Sequence, residues 1–168
     1  MTARLTVPLG VIVAREANEH PWEQDRWRTV GVCIDSLDKA DWRRHRRLDA
    51  HYHTATLPLT LQRKETLSYR VNLTNGEPTL YVVLRYDPAS AEDGAITVRW
   101  VTASPLDAQS HTDPALDWVD RVPMPARLIS IVEGFVASDC DQVGVLESHA
   151  SPQLIVHRDE PRPSADEA

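Results

Sequence analysis

Apolar runs and polar breaks alternate along the chain, and the period of each run predicts an element. Leu9 to Ala14 is continuous and rich in Val and Ile, as a strand buried on both faces would be. After the polar loop HPWEQDRW, Trp27 to Ile34 alternates loosely and predicts a second strand. Leu57, Leu59 and Leu61 alternate with Pro58, Thr60 and Gln62, which predicts a half-buried third strand; Pro58, lacking an N–H, places it at an edge or a bulge. Tyr69, Val71 and Leu73 against Ser68, Arg70 and Asn72 predict a fourth. Asn75-Gly76 then suits the positive φ angles of a tight hairpin turn into a fifth strand, TLYVVLRY from Thr79, and AITVRWVTA at residues 95–103 makes a sixth.

The last third changes period. Ser104 as cap, Pro105 at the first helical position and Asp107 two residues later predict a brief helix. Leu128, Ile131, Val132, Phe135 and Val136 form a helical stripe over 125–137 that should pack on a sheet face. LIVHR at 154–158 offers an extra strand, and EPRPSADEA reads as a disordered acidic tail. Consecutive strands with short connections favour a meander over βαβ units. The expected fold is therefore α+β: over residues 1–140, a curved antiparallel meander sheet of about six strands, open or half closed into a barrel, covered by one main C-terminal helix. Residues 141–168 form a weakly structured extension.

Composition narrows the class. With 168 residues, 42% hydrophobic and 26% charged, the chain fits one soluble globular domain and excludes collagen-like, wholly disordered and multi-span membrane proteins. Leu5 to Ala14 has the length of a signal-peptide core, but Pro8, Gly10 and the following Arg15-Glu16 fit an internal strand better. No run approaches the roughly 20 apolar residues of a membrane span, and no repeat of roughly 20–50 residues is visible. Cys33 and Cys140, without CxxC spacing, are expected to be free thiols in a cytoplasmic protein. A net charge of −7 argues against a nucleic acid partner.

Three groups of residues are candidates for chemistry. Arg63, Lys64, Glu65, Tyr69, Arg70 and Asn72 concentrate hydrogen-bonding groups, with Arg70 and Asn72 sharing the outer face of the fourth strand as a recognition surface; an internal ion pair of Glu65 with Arg63 or Arg70 is the plainer reading. Trp42, Arg43, Arg44, His45, Arg46 and Arg47 form the one basic run, in an otherwise charged excursion from Ser36 to Leu48 where Ser36 could cap a short helix; it is a solvated loop first, a contact for an acidic protein second and for RNA last. Trp22 sits in a polar loop as a possible interface anchor, whereas Trp27 and Trp100 fall within strands and belong to the core. His51 and His53 would share a strand face, but further ligands are missing nearby, so no metal and no cofactor are expected. Nucleophile elbows, phosphate loops and H-E-x-x-H helices are absent from the sequence.

Read together, PLGVIVAR, WRTVGV, TLPLTLQRKETLSYRVNL, LYVVLR, VTASP and VPMP resemble, in order, a proteobacterial domain-of-unknown-function family, number 3305, over roughly residues 7–136. The arginine-rich WRRHRR segment departs from its pattern. The resemblance implies a gene neighbourhood of formate dehydrogenase and other molybdenum enzymes. It also brings a transferred label of molybdopterin-guanine dinucleotide synthesis, which AREANEHPW contradicts, having no glycine with which to hold phosphates after the first strand. The expected function is a non-enzymatic accessory protein that binds a protein partner in maturation of a molybdenum-dependent oxidoreductase. The alternative is a small-molecule-binding domain or enzyme using the sheet concavity with Glu65, Tyr69 and Arg70.

Overall fold

The structure is a computed structural model that describes residues 4–16, 19–20, 22–23, 26–34, 43–44, 51–86 and 96–143, with the side chains of 43–44, 51–55 and 139–143 left aside. The first strand, β1 (Arg4–Glu16), carries Leu9, Val11 and Val13 fully buried. It pairs antiparallel with β2 (Arg26–Ile34) on one side and with β4 (His51–Gln62) on the other. A two-residue strand, β3 (Arg43–Arg44), pairs with β4 at His53 and Tyr52, so strand pairing occurs inside the charged excursion. A 3₁₀ turn at Arg63–Glu65 leads into α1 (Thr66–Thr74). Then come β5 (Thr79–Tyr86), β6 (Ile96–Thr102), α2 (Pro105–Ser110), β7 (Asp117–Pro123) and α3 (Ala126–Val143).

The strands make two antiparallel sheets, ordered β2-β1-β4-β3 and β6-β5-β7, rather than one meander of six. β6 lies against β4 and β7 against β2, yet among the described residues no ladder joins these pairs into even a partial barrel. Proline supplies one reason. Pro8 and Pro58 stand opposite each other in the β1–β4 ladder. Neither can donate, so theirs is a non-hydrogen-bonded pair, and the N–H that Pro58 lacks would have faced the far edge of β4. At the other seam a side chain replaces the ladder: Thr29 N–H of β2 donates to Asp120 Oδ2 of β7 at 2.6 Å.

The two sheets share one core, with Leu9, Val11, Leu59 and Leu61 of the first facing the same cluster as Leu80, Val82, Leu84 and Ile96 of the second. Apart from the two-residue β3 at the edge of the first sheet and α2 within the second, the order is parallel: the first strand is flanked by the next long strand on one side and the following one on the other, and a helix follows, β1, β2, β4, α1, then β5, β6, β7, α3.

The expected fourth strand is α1. Its buried residues are Thr66, Tyr69 and Asn72, spaced by three, while Val71 of the expected apolar alternation is 62% exposed and Leu67, one turn earlier, 74%. Asn75-Gly76 therefore does not turn a hairpin. Gly76, at φ 73°, sits just past the helix, where a left-handed residue lets the chain leave. The helix at 104 forms as expected, Ser104 Oγ accepting from Asp107 N–H with Pro105 at the first position. The stripe of α3 also forms, Leu128, Val132, Phe135 and Val136 being buried, and the helix runs beyond residue 137. β7 was not among the expected strands. No helix of the described residues is long and apolar enough to cross a membrane. Residues 154–158 and the acidic tail lie outside the described residues.

Candidate functional site

The polar block at 63–72 straddles the end of β4, the 3₁₀ turn and α1, and the structure divides it into an inward and an outward set. Tyr69 points inward. Its Oη accepts from Gln62 N–H at 3.0 Å and its ring meets Phe135 edge-on at 6.2 Å. Burial pushes the phenol above its ordinary value; the Gln62 N–H opposes this, and the Glu65 and Asp107 carboxylates add to it. Asn72 is also buried. Its Nδ2 donates to Thr79 O at 2.7 Å and Ala103 O at 2.8 Å, and its Oδ1 accepts from Thr79 N–H at 2.9 Å. All three bonds reach the backbone of the second sheet or its exit, so Asn72 locks α1 to that half of the molecule.

Glu65 joins a frame between α1 and α2. Ser104 Oγ lies 2.8 Å from both Glu65 Oε2 and Ser68 Oγ, and accepts from Asp107 N–H at 3.0 Å. With a single proton, Ser104 donates to the carboxylate, and Ser68 donates to Ser104. Ser104 N–H in turn donates to Thr102 Oγ1 at 3.1 Å. Ser104 is fully buried, out of reach of any substrate, so its hydroxyl serves as a cap and joint rather than a nucleophile.

Lys64 and Arg70 are exposed, and Arg63 is half-buried. On a 3.6-residue wheel Leu67 and Val71 fall one turn apart at the centre of the outer face of α1, Arg70 flanks them, and Tyr69 and Asn72 lie opposite, while the exposed Lys64 belongs to the 3₁₀ turn that precedes the helix. Ser68 faces α2, where Leu106, 61% exposed, sends its N–H to Ser68 Oγ at 3.4 Å. The outer surface of α1 thus presents Leu67 and Val71 beside the exposed Arg70, with the exposed Leu106 of α2 reached through Ser68. Arg70 and Asn72, expected on one strand face, point to opposite sides of a helix. The exposure of Leu67 and Val71 was hidden in sequence, because a strand reading put Val71 on the buried face.

The other candidates are separate. Trp22 is 79% exposed and stacks on His20 at 5.2 Å, while Trp27 is buried beneath the Arg15 guanidinium. Trp42 lies outside the described residues, and Arg43, Arg44, His51 and His53 are described only as backbone in β3 and β4. Cys33 is exposed. Among the described residues no three metal-ligating side chains gather.

Sequence reasoning also passed over the outer face of the second sheet. There Arg85 grips Asp117 with two bonds of 2.5 and 3.0 Å. Those bonds hold the Asp117 carboxyl below its ordinary value and raise Arg85. Beside the pair, α2 and the turn after it leave a cleft of about 450 Å³ over Tyr81, Val119 and Arg121. The alternation of Val119 and Arg121 in DWVDRVP was the signal available for it.

A family model described as a protein of unknown function (DUF3305) matches residues 8–143. No curated protein and no solved structure matches the chain.

Proposed function

The chain belongs to the DUF3305 family of proteins of unknown function, and from that premise we propose that it is a non-enzymatic accessory protein that binds a protein partner through the outer face of α1. The observation that supports this reading is the exposure of Leu67 and Val71 beside Arg70 on that face, with Leu106 exposed on α2. An apolar centre with a polar rim is how protein interfaces are built, and an acidic rim on the partner would complement the guanidinium. The frame of Glu65, Ser68 and Ser104 holds both helices in place before any partner arrives, which lowers the ordering cost of binding. The resemblance noted in the sequence suggests a molybdenum-dependent oxidoreductase such as formate dehydrogenase, or one of its maturation factors, as the partner. Glu65, Tyr69 and Arg70, the groups of the small-molecule alternative, lie in three different surroundings, which weakens that alternative.

The test is recovery of the full chain with its partners from its native host, side by side with a Leu67→Glu/Val71→Glu variant. The wild type should bring down the oxidoreductase or a maturation factor, and the variant should not. Normal maturation of that enzyme in a deletion strain, with nothing specific recovered by the wild type, would refute the proposal.

A further inference from the structure

We propose that the cleft on the outer face of the second sheet is a binding site for a small carboxylic acid with a compact apolar body. This is independent of the partner surface on α1. The cleft encloses about 450 Å³, inside the roughly 300–1,000 Å³ typical of small-molecule sites. Its floor is Tyr81 and Val119 of adjacent strands, its wall Pro105 and Pro114, and Gln109 and Arg121 bring a carboxamide and a guanidinium. Such a lining, apolar side chains beside a guanidinium, a carboxamide and the hydroxyls of Tyr81 and Thr112, suits a ring or branched chain carrying one anionic end.

The cleft is held open from both sides. α2 is fixed at its start by the Ser104 cap. The turn beyond it is fixed to β7, where Asp113 N–H donates to Asp117 Oδ2 at 2.9 Å and Asp117 N–H donates to Asp113 O at 2.7 Å. A ligand therefore enters a preformed site with little chain left to order.

Charge decides the class of ligand. Arg85 and Arg121 point from this sheet face, with Arg99 near enough for its charge to act on Asp117, and the first two differ. Arg85 is neutralised by Asp117. Arg121 lies with its guanidinium 5.9 Å over the Tyr81 ring, and among the described residues no carboxylate pairs with it. Asp107 of α2 is within 3.4 Å of His111, Asp117 is committed to Arg85, and Asp120, beside Arg121 in the chain, accepts from Thr29 N–H. Stacking on Tyr81 leaves the N–H edge of Arg121 available, the edge that takes a carboxylate with two parallel bonds. On a chain of net charge −7, a guanidinium without a carboxylate beside an apolar cleft is a local anion site. Besides the guanidinium and the Gln109 carboxamide the lining holds the Tyr81 hydroxyl, the Thr112 hydroxyl being bonded to Ala108 O. One guanidinium balances one negative charge, so a monoanionic carboxylate fits better than a dianionic phosphate.

Nitrogen–proton correlation spectra of the full chain, titrated with benzoate, benzamide and acetate, test this. Benzoate should saturate with shifts centred on Tyr81, Gln109 and Val119. Benzamide, lacking the charge, and acetate, lacking the ring, should each bind about tenfold more weakly or worse. Arg121→Gln should weaken benzoate by about tenfold, the cost of losing a hydrogen bond to a charged group, with Arg121→Lys between and Arg99→Gln unchanged. The spectra themselves report whether each variant is folded. Equal binding of benzamide, no effect of Arg121→Gln, or shifts centred elsewhere would overturn the proposal. So would the absence of saturation by benzoate, phenylacetate and cyclohexanecarboxylate up to about 10 mM.

Discussion

The two halves of the molecule share the arrangement of their three long strands but attach the helices that follow with different balances of apolar and polar contact. In the second half, α3 lays Leu128, Val132, Phe135 and Val136 into the core, and its hold is apolar area removed from water. In the first half, α1 occupies the equivalent place in the order of elements, yet it buries Thr66, Tyr69 and Asn72 and turns Leu67 and Val71 outward. α1 also lays the Tyr69 ring in the core and packs Leu73 against it, but Leu67 and Val71 take no part in that packing. Those residues are then free for another surface, so the weaker amphipathicity of α1 points to function where the stripe of α3 points to packing.

Truncation should separate the two modes of attachment. The largest loss is expected from Leu128→Ala, which empties a fully buried position in α3 and should cost about 4 kcal/mol in urea unfolding. Next comes Asn72→Leu, a change to an apolar side chain of similar size. If α1 were held as α3 is, this would be nearly neutral. Because Thr79 N–H, Thr79 O and Ala103 O would all lose their partner, a loss of about 3 kcal/mol is expected instead. A neutral result would erase the distinction between the halves.

The same contrast decided what could be read from the sequence. The α3 stripe, the Ser104 cap and the β5 run were legible because each is a local pattern that its surroundings do not override. α1 was not, because Tyr69, Val71 and Leu73 happen to alternate, and the contacts that make it a helix come from Thr79 and Ala103. Division into two sheets is a long-range fact of the same kind: β1 is central through partners on both sides, and the Thr29–Asp120 seam joins residues 91 positions apart. β7 escaped notice because only Val122 of it is buried and Trp118, Val119 and Val122 do not fall on one face, so its apolar residues give no strict period of two. In the polar block, residue types marked a place of importance, but only helical geometry sorted Asn72 and Tyr69 inward from Lys64 and Arg70.

Tyr69→Phe sharpens the account of α1 at smaller cost, about 1 kcal/mol at neutral pH for the lost bond from Gln62. Its pH dependence carries more information. The folded phenol titrates above its ordinary value of 10.0, so the stability it confers is complete below that pH and is lost as pH rises through the folded value. The deficit of the variant should therefore shrink in strongly alkaline solution. Denaturant midpoints of both proteins measured from neutral to strongly alkaline pH would show it, and a constant difference would mean that the phenol is not buried as described.

The smallest effect on stability carries the most about function. Leu67→Glu and Val71→Glu alter two side chains that are 74% and 62% exposed. Glutamate is a good helix former, so the double variant should unfold within about 0.5 kcal/mol of wild type. Matching changes on α3, such as Val132→Glu, would bury a charge and prevent folding. If the outer face of α1 is an interface, the double variant loses its partner while keeping its midpoint, because two negative charges replace the apolar centre beside Arg70. A variant that instead unfolded early would show Leu67 and Val71 to be packed after all, and α1 would then be held by apolar area on two sides, as α3 is held on one.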